Sequence, residues 1–315
     1  MTAFVPWLLA ILVSAALCGL TGLLLSMYYV PSTDSARDGV GRSLVIVEAG
    51  ADVVLGPYGD TLALPGQRAL VPNAEGSGVS LARASVDVHV HNASAGTAIR
   101  IIHRASALGM VLALVGMLVA MVWQAQAPRR IAWLVTSAAL LVGIGAMWMG
   151  MLLPDGNYAA ASHGVVRAAI DDGMAFGSIV EFIGGGHDAV PNRLARLLTL
   201  HGIGAGLVLA ACFWWLWTHV GSLSLNRAAV VVVTGVAGCA MVLAWSEPTG
   251  HVAWYPFRLA SVLQSWFGSE LASYLAVALV ACAVLLPWWN RNSPFAGRAL
   301  VSALALAWLL AMMFA

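Results

Sequence analysis

Hydrophobic and polar positions alternate along this chain on the scale of whole segments. Seven stretches, at about 7–29, 101–124, 131–153, 198–220, 228–246, 270–289 and 299–314, are almost entirely apolar. Each has about the 20 residues an α-helix needs to cross the hydrocarbon core of a bilayer, and they are called spans A to G here. The polar residues between them fall into three long connections (30–100, 154–197 and 247–269) and three short ones (125–130, 221–227 and 290–298). Inside the first long connection the pattern changes. Ser43–Glu48 and Asp52–Leu55 are short and rich in Val and Ile, and Ser85–His91 alternates polar with apolar residues as a half-buried strand does. Gly56-Pro57 and Pro65-Gly66 are turn sequences. A small β-rich element over about 43–92 is therefore expected. Short apolar stretches at 163–170 and 177–183 read as helices lying along the interface, and Trp254, Tyr255 and Phe257 suit the headgroup level.

The expected fold is an all-α integral membrane protein with seven transmembrane helices. Residues 1–30 form span A, and 31–98 the external insertion. Residues 99–224 form spans B, C and D with the C–D loop, and 225–315 form spans E, F and G.

Composition supports the membrane assignment. The chain is 61% hydrophobic and 9% charged, against about 25% charged for a soluble domain. All fifteen basic residues are Arg. The N-terminus and the short connections hold Arg129, Arg130, Arg227, Arg291 and Arg298 with no acid, while the acidic residues fall in the other set. Unopposed basic residues in short loops face the cytoplasm. The N-terminus is thus expected inside and the C-terminus outside, in a bacterial inner membrane, with the long connections external. Span A lacks a basic leader and a small-residue cleavage pattern, and reads as a retained helix. Cys18, Cys212, Cys239 and Cys282 lie in apolar segments without a Cys-x-x-Cys pair, which argues against a c-type haem, a zinc site or a disulfide framework.

Against this apolar background, histidines near the starts of two spans stand out. His103 opens span B and His201 opens span D. With seven alternating helices, B and D run the same way, so the two imidazoles lie at one depth near the outer face. Intramembrane ionisable residues are costly and point to function. Two facing neutral imidazoles can bind both axial positions of a haem iron, which suits electron transfer because no iron position stays open. Gly22 on span A and Gly109 on span B leave room for a flat macrocycle, as do Gly19, Gly116, Gly202, Gly204 and Gly206. Arg100, Arg104 and Arg196 lie at the same depth and suit two haem propionates. The competing reading is of interfacial histidines beside arginines whose stems lie along the apolar surface.

Further residues shift the balance. Leu20-Thr-Gly-Leu-Leu-Leu-Ser-Met-Tyr-Tyr-Val-Pro31, Gly96-Thr-Ala-Ile-Arg-Ile-Ile-His-Arg104, Pro128-Arg-Arg-Ile-Ala-Trp133 and Gly150-Met-Leu-Leu-Pro154 stand at the ends of spans A to C, and Leu194-Ala-Arg-Leu-Leu-Thr-Leu-His201 leads into span D. In this combination the chain resembles cytochrome b, the quinone-handling subunit of bc and b6f complexes. Trp254-Tyr-Pro-Phe257 and Ser293-Pro-Phe295 extend the resemblance into the C-terminal third. Seven spans correspond to cytochrome b6 plus subunit IV. The resemblance implies haem b held by His103 and His201, a quinone or quinol ligand, and partner subunits in a membrane redox complex. It further implies an external Fe–S or cytochrome c-type partner, a homodimer, and lipid rather than nucleic acid as surroundings.

Two departures from the family pattern narrow that expectation. The family carries a second histidine pair fourteen or fifteen residues further along spans B and D. Here those positions are Met117, Trp215 and Leu216. Fourteen helical residues span about 21 Å, so the inner haem is expected to be missing, with Trp214, Trp215 and Trp217 filling part of its volume. His219 with Met121 is the remaining conceivable inner pair. The family's outer quinol-site glutamate is Ala253 here, and His251 is the nearby candidate proton acceptor. His89, His91, His163 and His187 read as external residues without a metal role. The expectation is a single-haem cytochrome b-like subunit passing electrons between quinone and an external partner without a full Q-cycle. The alternative is a structural subunit with no electron path.

Overall fold

A computed structural model describes residues 4–49, 52, 54–55, 61–65, 67–73, 78–123, 130–155, 171, 178, 193–220, 233 and 236–237. Apart from 178, 233 and 236–237, the stretch at 177–183 and span E lie outside the described residues, as do the stretch at 163–170, spans F and G, and His251. Among those described, four helices are long and apolar enough to cross a membrane: Val5–Ser26, Gly96–Met121, Ile131–Leu152 and Arg193–His219. The chain is therefore a mainly helical integral membrane protein with a small β element.

Helix α1 (Val5–Ser26) starts with a proline in its first turn, where a missing N–H costs nothing and the fixed φ suits the helix. The β element follows. Strand β1 (Leu44–Glu48) pairs antiparallel with β4 (Arg68–Pro72), Ile46 opposite Leu70. Strands β2 (Val54–Leu55) and β3 (Thr61–Ala63) form a second antiparallel pair. Ala49, Ala63 and Ala69 make its small core.

The strand expected at Ser85–His91 is instead helix. Ser80 caps α2 (Leu81–Ala84) by accepting from the Arg83 N–H, and the helix widens into a π-helical turn over Ser85–Val90. Three alternating valines are too few to hold a strand that has no neighbour to pair with. The capped Leu-Ala-Arg-Ala turn before them sets the helical path. Asp87 then binds Arg83 one turn back at 3.4 Å. Asn92 imitates a strand residue, accepting from the Arg68 N–H at 2.9 Å and donating to the Arg68 carbonyl at 2.7 Å. It closes the β4 edge and fixes the sheet to the corner before the next helix. At that corner Ala95 has a φ of 63°. Gly96 passes so close to the Val90 carbonyl that a Cβ would overlap it.

Helix α3 (Gly96–Trp123) is the most buried of the four, with α1 packed along it, and α4 (Arg130–Leu152) leans on α3 and on the last helix. That last helix is continuous but not uniform. It consists of α5 (Arg193–Leu198), a π-helical turn over Thr199–Gly204, and α6 (Ala205–Val220). Spans B and D begin five residues earlier than the apolar pattern indicated, because Gly96–Arg100 and Arg193–Leu197 are helical despite their polar members. Leu152 and Leu153 at the end of α4 pack on Leu194 and Leu197 at the start of α5, so α3 and the α5–α6 helix run in the same direction. Two further links hold this end together. The Tyr29 hydroxyl donates to the Leu153 carbonyl at 2.6 Å, and Arg193 binds Asp155 at 3.0 Å. Burial pushes the Tyr29 hydroxyl above its ordinary range, the Asp155 carboxylate adds to this, and Arg193 partly opposes it. It therefore stays a donor.

The far half of the bundle is a dry core. Leu8 and Ile11 of α1, Leu114, Met117 and Met121 of α3, Trp133 and Ala139 of α4, and Phe213 and Leu216 of α6 meet there, with Met117 and Leu216 fully buried. In lipid such contacts hold helices together through close packing rather than by exclusion of water.

Candidate functional site

His103 lies seven residues from the start of α3 and His201 eight from the start of α5. At 1.5 Å per residue both lie about 10–12 Å along their parallel helices. The common depth read from the sequence is therefore correct, though it is two turns in rather than at the mouth. The rings meet across the bundle with centroids 6.2 Å apart and planes crossed at 71°.

Each imidazole is held by a main-chain carbonyl on a neighbouring helix. Nδ1 of His103 lies 3.0 Å from the Cys18 carbonyl of α1, and Nδ1 of His201 lies 2.8 Å from the Ala146 carbonyl of α4. A carbonyl oxygen only accepts, so in both rings Nδ1 carries the proton and the neutral Nε2 keeps its lone pair. Each ring is also set in place by a glycine. A Cβ on Gly22 would stand 3.0 Å from Cε1 of His103, and one on Gly150 would stand 2.9 Å from Cε1 of His201. Both are tighter than ordinary carbon contacts. Gly22 was expected from the sequence to lie beside a cofactor, and it lies against the His103 ring. Cys18 was read only as a cysteine in an apolar segment, Thr21 and Gly150 only as members of span-end motifs, and Ala146 was given no role. Main-chain carbonyls have no residue signature, and only their helix register relative to the two histidines identifies them.

The π-helical turn carries His201 on its third residue. Such turns insert one residue into an α-helix and shift the face that follows, and they concentrate at functional sites. Here the turn lets His201 face α3 while Leu209, Phe213 and Leu216 still face the core.

The other expected residues fall as follows. Arg100 is half-buried and lies 3.6 Å from Asp87, which also binds Arg83. The helical segment before α3 thus already supplies part of its counter-charge. Arg104, one turn on, is half-buried, and Arg196 is exposed. Gly109 is buried within α3. Gly116 leaves no free space, because the Trp7 ring occupies it. Among the described residues, a Cβ on Gly19, Gly202 or Gly206 would meet nothing within 4 Å. Trp214 and Trp217 are exposed on the outer face of α6 and do not fill the interior. That volume is filled by Met117, Met121, Phe213 and Leu216 instead. Trp215 stacks on His219 with centroids 4.3 Å apart and planes 7° apart. His219 is exposed while Met121 is buried, so the structure does not form them into an inner pair. Among the described residues, no group of three or more His, Cys, Asp or Glu forms a metal cluster. The arrangement present is two facing imidazoles, which suits a metal that brings its other ligands with it.

Comparison with solved structures finds a match to a chain described as "Hyperthermophilic respiratory Complex III", with a TM-score of 0.64 at 16% identity, covering 98% of this chain and 83% of that one. At this identity the likeness is one of fold. No protein-family model and no curated protein matches the sequence.

Proposed function

We propose that this chain is a cytochrome b-like membrane subunit of a respiratory redox complex, and that it binds a single haem b between His103 and His201. The observation carrying this reading is the histidine pair itself. Imidazoles on opposite sides of one metal, at metal–nitrogen bonds of about 2.0–2.1 Å, stand about 6 Å apart between centroids, and these stand 6.2 Å apart. Both Nδ1 atoms are already engaged by carbonyls. This second-layer arrangement fixes the tautomer and raises ligand basicity. The shared fold with a Complex III chain and the motifs at the span ends support the same reading.

The residues divide the work. His103 and His201 would hold the haem iron through their free nitrogens, Gly22 and Gly150 keep the rings seated, and Arg104 and Arg196 would meet the propionates, with Arg100 shared with Asp87. The haem supplies one-electron chemistry. The chain's own part is to hold both ligands neutral and rigid, so that little reorganises on electron transfer. Met117, Trp215 and Leu216 stand where a second pair would be required, and the packed core around them supports an inner half without haem. Electrons would then pass between membrane quinone and an external partner on one side of the bilayer, without the transmembrane relay a Q-cycle needs. His251 is the proposed proton acceptor from quinol. His251→Ala leaving quinol turnover unchanged removes it from that role.

The test is haem stoichiometry on purified chain by the pyridine haemochromogen assay. One haem b per chain is expected, falling to near zero in His103→Ala and His201→Ala and unchanged in Met117→Ala. Two haems per chain, or none, contradicts the reading.

A further inference from the structure

The two histidines are not held alike. Among the described residues, His201 has one polar partner at Nδ1, the Ala146 carbonyl at 2.8 Å. His103 has the Cys18 carbonyl at 3.0 Å, the Thr21 hydroxyl at 3.3 Å and the Cys18 thiol at 3.7 Å, all from α1. Thr21 is one of two buried polar residues of α1, 6% exposed, the other being Ser14. Its hydroxyl has one proton and two close carbonyls, Leu17 at 2.6 Å and Cys18 at 3.2 Å. The shorter bond takes the proton. The Thr21 oxygen therefore faces His103 as an acceptor only, and the Nδ1–H of His103 is shared between that oxygen and the Cys18 carbonyl. Gly22, next in sequence, leaves the space the ring needs, since a Cβ there would stand 3.0 Å from Cε1, so Thr21 and Gly22 together fix its tautomer and its seat.

We infer that Thr21 is a positioning residue for the His103 ligand. Its hydroxyl is a second acceptor on Nδ1–H that makes His103 the stronger donor of the pair and holds the bound haem toward its oxidised form. The inference rests on the single-haem reading. An acceptor on the far nitrogen increases negative charge on the ring, which favours the ferric over the ferrous state. A hydroxyl already committed to Leu17 cannot turn to donate instead, so the effect has one sign.

The experiment is a redox titration of haem-loaded wild type, Thr21→Val and Thr21→Ser, with EPR spectra of the oxidised forms. Valine keeps the shape of threonine without the hydroxyl. It is expected to shift the equilibrium toward the reduced form by about threefold to tenfold, the tenfold end being about 59 mV for one electron, and to move the low-spin EPR signal. Serine restores the hydroxyl and is expected to titrate with the wild type. Haem lost in Thr21→Val but kept in Thr21→Ser, with helical circular dichroism intact in both, also supports the role. Equal potentials and equal EPR signals in all three overturn it, leaving the haem reading intact. A wild type without haem overturns that reading first, and this one with it.

Discussion

Nδ1 of His103 and of His201 each meets a carbonyl of a neighbouring helix, so the smallest changes at these rings have large effects. A methyl added at Gly22 or Gly150 would stand 3.0 or 2.9 Å from Cε1 of His103 or His201, and the ring must shift. Gly22→Ala and Gly150→Ala are expected to lower haem retention several-fold and to broaden the low-spin EPR signal. Met117→Ala is expected to leave the spectrum alone and to cost about 2–5 kcal/mol in stability through the cavity it opens. The wild-type signal should itself be strongly anisotropic, because the rings cross at 71°. At this scale the sequence revealed residue identities but not their partners. His103 and His201 stand out because imidazoles are rare in apolar runs. The Cys18 and Ala146 carbonyls, by contrast, could belong to any residue. Gly116 was misjudged for a related reason: a glycine in a helix shows that something approaches closely, and here it is Trp7.

The π-helical turn over Thr199–Gly204 makes an element-scale prediction. Deleting Gly202 restores α-helical register, where each residue turns about 100° around the axis. Either His201 or the face carrying Phe213 and Leu216 must then point away. Loss of haem or loss of folding is expected, against a Gly202→Ala control that keeps both. Tyr29 ties the chain after α1 to the end of α4. Removing its hydroxyl in Tyr29→Phe is expected to cost about 1 kcal/mol, read as a lower Tm at neutral pH. Its ionisation is pushed upward in the folded state, so its contribution is full below the ordinary tyrosine value of about 10. It is lost as pH rises through the higher folded value. The Tm gap between wild type and Tyr29→Phe should therefore narrow in strong alkali. Spans A to D were legible because each has about 20 apolar residues in a row. Their starts were not, since helices continue through Arg100 and Arg193 once those side chains find Asp87 and Asp155. Ser85–His91 misled because alternation over seven residues suits a strand only if a neighbouring strand is there to receive it.

Across the molecule, the bundle is divided by depth. The end bearing the β element holds His103 and His201 with Arg100, Arg193, Asp87 and Asp155, and the core of the other end is packed with Leu, Met, Phe and Trp. That division was legible in outline from Met117 and Leu216 standing fourteen and fifteen residues beyond the ligands. Which side chains fill the space was not, because Trp214 and Trp217 sit on the outer face of α6 and only the folded helix settles their direction. If the proposed haem is bound at the histidine pair, this division implies a one-sided electron path. With the chain in sealed vesicles, an impermeant oxidant added on the face nearest His103 is expected to bleach the reduced haem quickly. The same oxidant on the opposite face should do so at least tenfold more slowly. The central claim is a single iron held by two named nitrogens, and the most direct measurement of it is an electron cryo-microscopy map of the protein purified in lipid. The expected map has one porphyrin per chain, its iron bonded to Nε2 of His103 and of His201, and continuous side-chain density among Met117, Phe213 and Leu216. A second porphyrin in that inner half, or two histidines with no metal between them, would contradict it.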